Sequence, residues 1–157
     1  MEENVKKVLS RLQNQCSRRE YCSSDILAKA KKLLEGDTDA ANDVLESLVK
    51  DRYVDDLRYA SAFAREKASI QGWGRVKISY MLSAKGISKS VIKEALEEID
   101  EGSASRKLEN VVRAKYRMLA DDPQCKLKLL RFALGRGYSY DDVKDVVDMV
   151  MSEKDED

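Results

Sequence analysis

The chain has 157 residues, of which 43% are hydrophobic and 37% are charged, and its 29 basic residues balance its 29 acidic residues. This length allows a buried hydrophobic core, but the absence of histidine excludes Ser/His/Asp and Cys/His nucleophilic sites, His-Cys zinc sites and proton transfer through imidazole. A single proline and seven glycines are too few turn-forming residues for an all-β domain. We therefore expect an α-helical protein.

Cysteine usage and hydropathy indicate where such a protein functions. The three cysteines include no CxxC pair, so neither a disulfide framework nor a thiolate metal site is expected. The first residues are amphipathic and charged, unlike a signal peptide, and no apolar stretch approaches the roughly 20 residues that span a bilayer. We expect a cytoplasmic protein with no membrane partner, no metal and no cofactor.

An apolar pattern recurs with a spacing of 51 residues. Three residues of good N-cap type stand at this spacing, and each is followed by a helical apolar pattern: Asp37, Ser88 and Ser139. Four residues after each cap lie Ala41, Ile92 and Val143. Further apolar residues follow seven, eight and eleven residues after each cap, which marks one face of an α-helix.

Two more helices precede each capped helix. Apolar residues ten positions before the caps mark a middle helix: Leu27, Ile78 and Leu129. Further apolar residues predict a first helix near residues 4–18, 55–68 and 105–120, with Leu12, Phe63 and Ala114 at equivalent positions. A glycine near the end of each middle helix suits a left-handed terminating residue: Gly36, Gly86 and Gly137. The repeating unit is therefore three helices.

Units of about 50 residues are small for independent stability, so neighbouring units are expected to stack. The predicted fold is all-α, with three tandem three-helix repeats of about 51 residues stacked into an elongated, curved array. The repeats are expected at residues 1–54, 55–104 and 105–152, followed by an acidic tail at residues 153–157. The alternative is that the same pattern builds three separate small bundles.

The charges are unevenly distributed along the chain. Residues 58–89 contain seven basic residues and one acidic residue, and residues 106–136 contain nine basic and three acidic residues, so each segment has a net charge of +6. From residue 139 onward eight carboxylates and two lysines give a net charge of −6. The first and second helices of repeats two and three are therefore basic, whereas the third helices are acidic.

Basic and aromatic side chains in these segments are candidates for a binding surface. One stripe of a single helix carries Arg106, Asn110, Arg113 and Arg117, an arrangement that suits an anionic partner. The alternative is a solvated helix face with internal ion pairs. Trp73, between two glycines and near several cations, is either a cap over the seam between repeats or an exposed anchor for a base or a protein.

Three segments carry a family resemblance: REYCSSDI at residues 19–26, LVKDRYVDDLRYASAFAREK at residues 48–67 and GWGRVKISYMLSAKGI at residues 72–87. In this order they resemble the motifs R-x-Y-S-x-x-E-L, L-x-x-x-G-Y-L-D-D-x-R-F-A and G-x-G-x-x-x-I-x-x-x-L-x-x-K-G-I of the RecX family. The chain differs at Cys22, where the family often has serine, and at Asp51-Arg52, where it often has glycine. The matched motif residues include Asp55, Asp56, Tyr59, Ala60, Gly72, Gly74 and Gly86.

The resemblance implies a bacterial regulator of the RecA recombinase that is not an enzyme. Such regulators bind the groove of the RecA filament on DNA and suppress its ATP hydrolysis, growth and strand exchange. The implied partner is the RecA filament, with single- or double-stranded DNA as a second partner, and we expect a monomer. We predict a binding face that comprises Arg58, Arg65, Trp73, Arg75, Lys77, Lys85, Arg106, Arg113, Arg117, Lys128 and Arg131.

Two other hypotheses fit the same residues. In one, the protein is a helical module that binds nucleic acid directly, with phosphates held by the two basic segments and a base stacked on Trp73. In the other, it is a plain helical scaffold. The Asp55-Asp56 pair is assigned to helix capping rather than to metal binding, because a metal site needs ligands that converge from several elements.

Overall fold

The computed structural model describes residues 2–156, and the side chains of residues 2–153, as nine α-helices with no strand in that range. The helices are α1 Glu3–Arg18, α2 Ser23–Leu33, α3 Thr38–Lys50, α4 Asp56–Ser69, α5 Arg75–Ala84, α6 Lys89–Glu97, α7 Glu101–Leu119, α8 Cys125–Gly135 and α9 Tyr140–Glu156. The predicted all-α class is confirmed. Over the part of the chain that the structure describes, no helix is both long and apolar enough to cross a membrane.

The third helix of each set begins at the predicted cap. In α3 the Asp37 carboxylate accepts the Ala40 N–H at 3.1 Å. The hydroxyl oxygens of Ser88 and Ser139 accept the N–H group three residues further on, at 3.4 and 3.3 Å. Each side chain thus satisfies one of the backbone donors that a helix N-terminus leaves unpaired.

Glycines end the middle helices in the predicted conformation. Gly36, Gly86 and Gly137 have φ values of 85°, 78° and 94°. These values lie in the left-handed region, which side chains with a Cβ atom seldom occupy. The helical repeat predicted from the caps and glycines is therefore confirmed at these positions.

Arg52 ends α3 in the same left-handed region without being glycine. Its φ is 62°, and the N–H of Tyr53 donates to the carbonyl of Leu48 at 2.9 Å, which is the six-to-one bond of a Schellman motif. The Arg58 guanidinium donates to the carbonyls of Arg52 and Tyr53 at 3.0 and 3.3 Å. The position at which the RecX motif often has glycine is thus one that requires a left-handed residue.

The chain forms two compact units whose limits differ from those of the predicted repeats. Unit 1 consists of Met1–Ala62 and Leu82–Glu94, and unit 2 consists of Phe63–Met81 and Ala95–Asp157. Each unit has its own core: in unit 1 it is built on α1, α2 and α3, and in unit 2 on α7, α8 and α9. The repeat limits at residues 55, 105 and 153 stay a prediction.

The first helices depart from the 51-residue spacing. Their buried pairs are Val8 and Leu12 in α1, Ala60 and Ala64 in α4, and Leu108 and Val112 in α7. These pairs are 52 and then 48 residues apart, so the prediction that Ala114 takes an equivalent core position is wrong: Ala114 is exposed. The first helix of this set also begins earlier than predicted, because α7 is capped by Asp100, whose carboxylate accepts the Ser103 N–H at 2.8 Å.

Candidate interaction surface

The two aspartates of the matched motif hold helix N-termini. The Asp55 carboxylate accepts the Arg58 N–H at 3.0 Å and so caps α4. The Asp56 carboxylate instead accepts the N–H of Ser23 at 2.8 Å, which is the first residue of α2. Both carboxylates satisfy helical donors that would otherwise be unpaired, which agrees with the capping role predicted for the pair.

Lys85 and Gly86 also lie against the first turn of α2. The Lys85 ammonium pairs with Asp25 at 3.0 Å, and this hydrogen bond raises the pKa of Lys85. The Ser24 hydroxyl donates to the Lys85 carbonyl at 2.6 Å, and a Cβ added to Gly86 would lie 4.0 Å from the Ser24 side chain. Burial raises the pKa of the nearby Tyr59 hydroxyl, so this motif residue stays neutral. These motif residues build unit 1.

In unit 2, two glycine-containing loops are joined through their backbones. The Gly74 N–H donates to the Arg136 carbonyl at 2.8 Å, and the Val76 N–H donates to the Gly137 carbonyl at 2.9 Å. We call these loops, residues 70–74 and 136–139, the glycine clasp. Arg136 follows Lys85 by 51 residues, so each unit uses an equivalent turn to hold the start of a middle helix.

The glycine clasp leaves no room for a side chain at two positions. A Cβ on Gly74 would lie 2.4 Å from the Gly137 carbonyl oxygen, and a Cβ on Gly137 would lie 2.2 Å from the Lys77 Cβ. The buried Tyr138 hydroxyl donates to the Gly72 carbonyl at 2.8 Å. Close backbone approach therefore explains Gly74, and it adds a second reason for glycine at position 137 besides the left-handed conformation.

Trp73 is half-buried within unit 2. Its ring lies edge-on to Phe63, with centroids 6.3 Å apart. The ammonium groups of Lys77 and Lys67 lie 4.2 and 4.9 Å from the centroid of the indole ring, close enough for cation–π attraction. Of the two sequence alternatives, these surroundings favour a packed cap over an open stacking surface. A role for Trp73 or Lys77 in binding stays a prediction.

Six of the ten cations on the predicted binding face are paired with carboxylates of the same unit. The pairs are Arg58 with Glu20, Arg65 with Glu98, Arg75 with Glu101, Lys85 with Asp25, Arg113 with Glu109 and Glu153, and Lys128 with Asp122. Arg75 also donates to the Ile99 carbonyl at 2.8 Å. Most of this charge is therefore compensated inside the protein.

Arg113 illustrates this compensation on the predicted arginine stripe. Its guanidinium donates to both carboxylate oxygens of Glu153 on α9, at 2.7 and 2.9 Å, and to Glu109 on its own helix at 2.9 Å. Hydrogen bonds to Glu153 and Glu109 raise the pKa of Arg113, and the bond to Arg113 lowers the pKa of Glu153. The solvated face with internal pairs, the alternative interpretation of the stripe, therefore holds for its central residue.

Three predicted cations of unit 2 are exposed and form no salt bridge with another described residue. Arg106 and Arg117 lie on α7 and Arg131 lies on α8. Among the residues whose side chains are described, none forms a salt bridge with these three arginines. Their charge is consequently available to attract an anionic partner.

A second group of cations, absent from the predicted binding face, lines an open groove in unit 2. Lys107 and Lys115 of α7 lie on one side, and Arg136, next to the end of α8, lies near Phe132. We call this feature the basic groove. Its signal in the sequence was the spacing of Lys107, Val111 and Lys115, which places them on one side of a helix.

The described residues offer no evident metal or thiol chemistry. No group of three or more Cys, Asp or Glu side chains within them is placed to hold a metal ion. Cys16, Cys22 and Cys125 are buried, and burial raises the pKa of the Cys16 thiol, which disfavours its reactive thiolate form.

Comparisons with known proteins identify the family. Two family models match, described as the second three-helix domain of RecX at residues 55–96 and the third three-helix domain of RecX at residues 106–147. A protein named "Regulatory protein RecX" from Clostridium botulinum (strain Eklund 17B / Type B) is 36% identical over 115 residues, which are 71% of this chain and 53% of that protein. Another of that name, from strain Alaska E43 / Type E3, is 35% identical over 124 residues, covering 74% of this chain and 56% of that protein.

The chain thus spans about half the length of these curated relatives. A solved structure, "Crystal structure of RecX from Lactobacillus salivarius", matches with a TM-score of 0.81 at 19% identity, covering 94% of this chain and 97% of that one. This match shows a shared fold. The two matched domains together span more than half of the sequence, and with these relatives they show that the chain belongs to the RecX family.

Proposed function

We propose that this protein is a non-catalytic regulator of the RecA recombinase. In this proposal it binds the RecA filament on DNA and inhibits ATP hydrolysis, filament growth and strand exchange. Membership in a family whose relatives are named regulatory proteins supports the proposal. The observation that carries it is the set of exposed, uncompensated arginines in unit 2: Arg106, Arg117 and Arg131.

The electrostatics of a filament on DNA explains why these arginines matter. DNA carries a dense row of phosphate charges, so we expect a filament wound on it to attract cations. Exposed cations accelerate the encounter with such a filament, whereas cations already paired with carboxylates contribute little. We therefore propose that Arg106, Arg117 and Arg131 on α7 and α8 are the main binding residues of the eleven-residue face predicted from the sequence. They lie within the proposed third repeat at residues 105–152.

The test is RecA-dependent ATP hydrolysis on single-stranded DNA, titrated with the wild-type chain and with a triple variant, Arg106→Glu, Arg117→Glu and Arg131→Glu. We expect the wild type to inhibit and the triple variant to need about tenfold more protein or worse, since removing rim charges slows association. The control reverses three exposed cations of unit 1: Lys6, Arg11 and Lys93. It changes the net charge equally and is expected to inhibit like the wild type.

Three results would count against the proposal. No inhibition by the wild-type chain would refute the regulatory function. Undiminished inhibition by the unit 2 variant would place the binding face elsewhere. Equal loss in both triple variants would show that inhibition follows net charge rather than a defined surface.

Direct binding of DNA is the second candidate, because exposed arginines fit phosphates without any recombinase. If Arg106, Arg117 and Arg131 each contact one phosphate, the logarithm of the affinity for naked DNA falls with the logarithm of salt with a slope of about −2 to −3. Fluorescence anisotropy with a labelled oligonucleotide measures this slope without RecA. Strong binding with this slope, beside no effect on RecA, would favour the DNA-binding module.

A further inference from the structure

The basic groove of unit 2 combines positive charge with an apolar lining. It has a volume of about 420 Å³ and lies between the loop that follows α4 and the helices α7 and α8. Three cations line it, namely Lys107, Lys115 and Arg136, and no carboxylate is among its described lining residues. An anionic group that entered would therefore meet only attraction.

Apolar side chains form the rest of the lining. Val111 and Phe132 lie within it, and Ile70 and Met118 stand beside it with 79% and 76% of their surfaces exposed. These are the two most exposed large hydrophobic residues of the described chain. Exposed apolar groups that cluster beside a concave surface are typical of protein interaction sites.

Two of the three cations of the groove lie beside an aromatic ring. The Lys115 ammonium lies 4.8 Å, and the Arg136 guanidinium carbon 5.8 Å, from the centroid of the Phe132 ring. The Nε of Arg136 is buried and has no hydrogen-bond partner among the described residues. Lys115 and Arg136 lie beside an aromatic ring, and no salt bridge among the described residues involves the three cations of the groove. A ligand carboxylate could therefore pair with these cations without breaking an ion pair between described residues.

We propose that the basic groove docks an acidic protein segment that carries an aliphatic or aromatic anchor residue. The carboxylates of the segment would pair with Lys107, Lys115 and Arg136, and the anchor would cover Met118 and Ile70. A single-stranded nucleic acid fits less well, because the neighbouring exposed residues are aliphatic and the one aromatic ring is already engaged by two cations. This inference goes beyond the proposed function, since it holds for the groove whether or not RecA is a partner.

The experiment measures fluorescence anisotropy of labelled probes with the full chain. The main probe is a twelve-residue peptide of Asp and Glu with a central Leu-Phe pair. Two comparison probes are the same peptide with Ser-Ser at the centre and an oligothymidylate of twelve nucleotides. We expect the Leu-Phe peptide to bind at least about tenfold more tightly than the Ser-Ser peptide, because burying two such side chains contributes more than about 1.4 kcal/mol.

Two groove variants locate the site. The double variant Lys107→Glu and Lys115→Glu removes the attraction and is expected to weaken the Leu-Phe peptide at least about tenfold. Met118→Ser changes an exposed side chain, so the fold tolerates it, and we expect it to weaken the Leu-Phe peptide but not the Ser-Ser peptide. The matched control, Lys7→Glu and Lys93→Glu in unit 1, is expected to bind like the wild type.

Several outcomes would overturn the inference. Equal affinity for the two peptides would mean that charge alone is recognised. Unchanged peptide affinity in both groove variants would place the binding elsewhere. Tighter binding of the oligothymidylate, lost in the same variants, would make nucleic acid the occupant. These results are separate from RecA-dependent ATP hydrolysis, so a failure of the proposed function leaves the groove experiment interpretable.

Discussion

Replacing Gly74 by alanine tests whether the glycine clasp is as tight as the structure indicates. The added Cβ would lie 2.4 Å from the Gly137 carbonyl oxygen and 2.6 Å from the Tyr138 nitrogen, whereas ordinary carbon contacts are about 3.5 Å. Relief requires the two loops to separate by about 1 Å. The bond from the Gly74 N–H to the Arg136 carbonyl, now 2.8 Å, would then exceed hydrogen-bonding distance.

The expected cost follows from these changes. Overpacking typically costs about 1–3 kcal/mol, and loss of the hydrogen bonds donated by Gly74 and Val76 adds about 1 kcal/mol each. Alanine recovers about 0.4–1 kcal/mol by restricting the unfolded chain, since Gly74 has no positive φ. The net destabilisation of unit 2 is therefore about 2–5 kcal/mol.

The assay is urea denaturation followed by circular dichroism and by fluorescence of Trp73, the single tryptophan. Hydrogen exchange at Val76, whose N–H donates across the clasp, adds a local readout and should quicken in the variant. Gly135→Ala is the matched control, because a Cβ there meets nothing within 4 Å, and it should leave stability unchanged or slightly raised. A Gly74→Ala variant within about 0.5 kcal/mol of the wild type would refute the reasoning.

Three further predictions concern single sites. Arg52→Gly should stabilise unit 1 by about 1 kcal/mol, because φ of 62° strains a residue with a Cβ atom. A lowered urea midpoint would show that the Arg52 side chain contributes more to stability than the backbone strain costs. Arg113→Ala should lower the free energy of unfolding near pH 7, but the difference from the wild type should vanish as the pH falls below the usual carboxyl range. The folded pKa of Glu153 is lowered by its bond to Arg113, so the stabilisation is present above the unfolded pKa and is lost as Glu153 protonates. A gap that persists in acid would contradict this assignment. Asp56→Ala should cost about 1–2 kcal/mol by leaving the Ser23 N–H without its acceptor, whereas Asp56→Asn retains an acceptor oxygen; equal unfolding midpoints for the two variants would speak against the capping role.

Features that depend on neighbouring residues were predictable from the sequence. The caps at Asp37, Ser88 and Ser139 bond to N–H groups three residues away, and the conformation of Gly137 follows from its place after a helix. Such rules act within one helical turn. The positions of the third helices could therefore be predicted before the structure was known.

Features that depend on distant residues were not predictable. Arg113 is paired with Glu153, 40 residues along the chain, and Arg65 with Glu98, 33 residues along. No helical spacing reveals such pairs, so the sequence alone could not distinguish paired from unpaired cations on the predicted binding face, nor indicate the groove that contains Lys107. The buried side of α7 was not predictable either, because packing decides which residues of a helix face the core.

The bonds at the start of the middle helices have a consequence for the order in which the protein forms during synthesis. The Ser24 hydroxyl meets the Lys85 carbonyl 61 residues later in the chain, and the Gly72 carbonyl meets the Tyr138 hydroxyl 66 residues later. A ribosome that adds about 5–20 residues per second would leave each of these helix starts without its partner for several seconds. The starts of α2 and α5 therefore gain these partners only after most of the following three-helix set has been translated, and α2 gains its partner before α5 does.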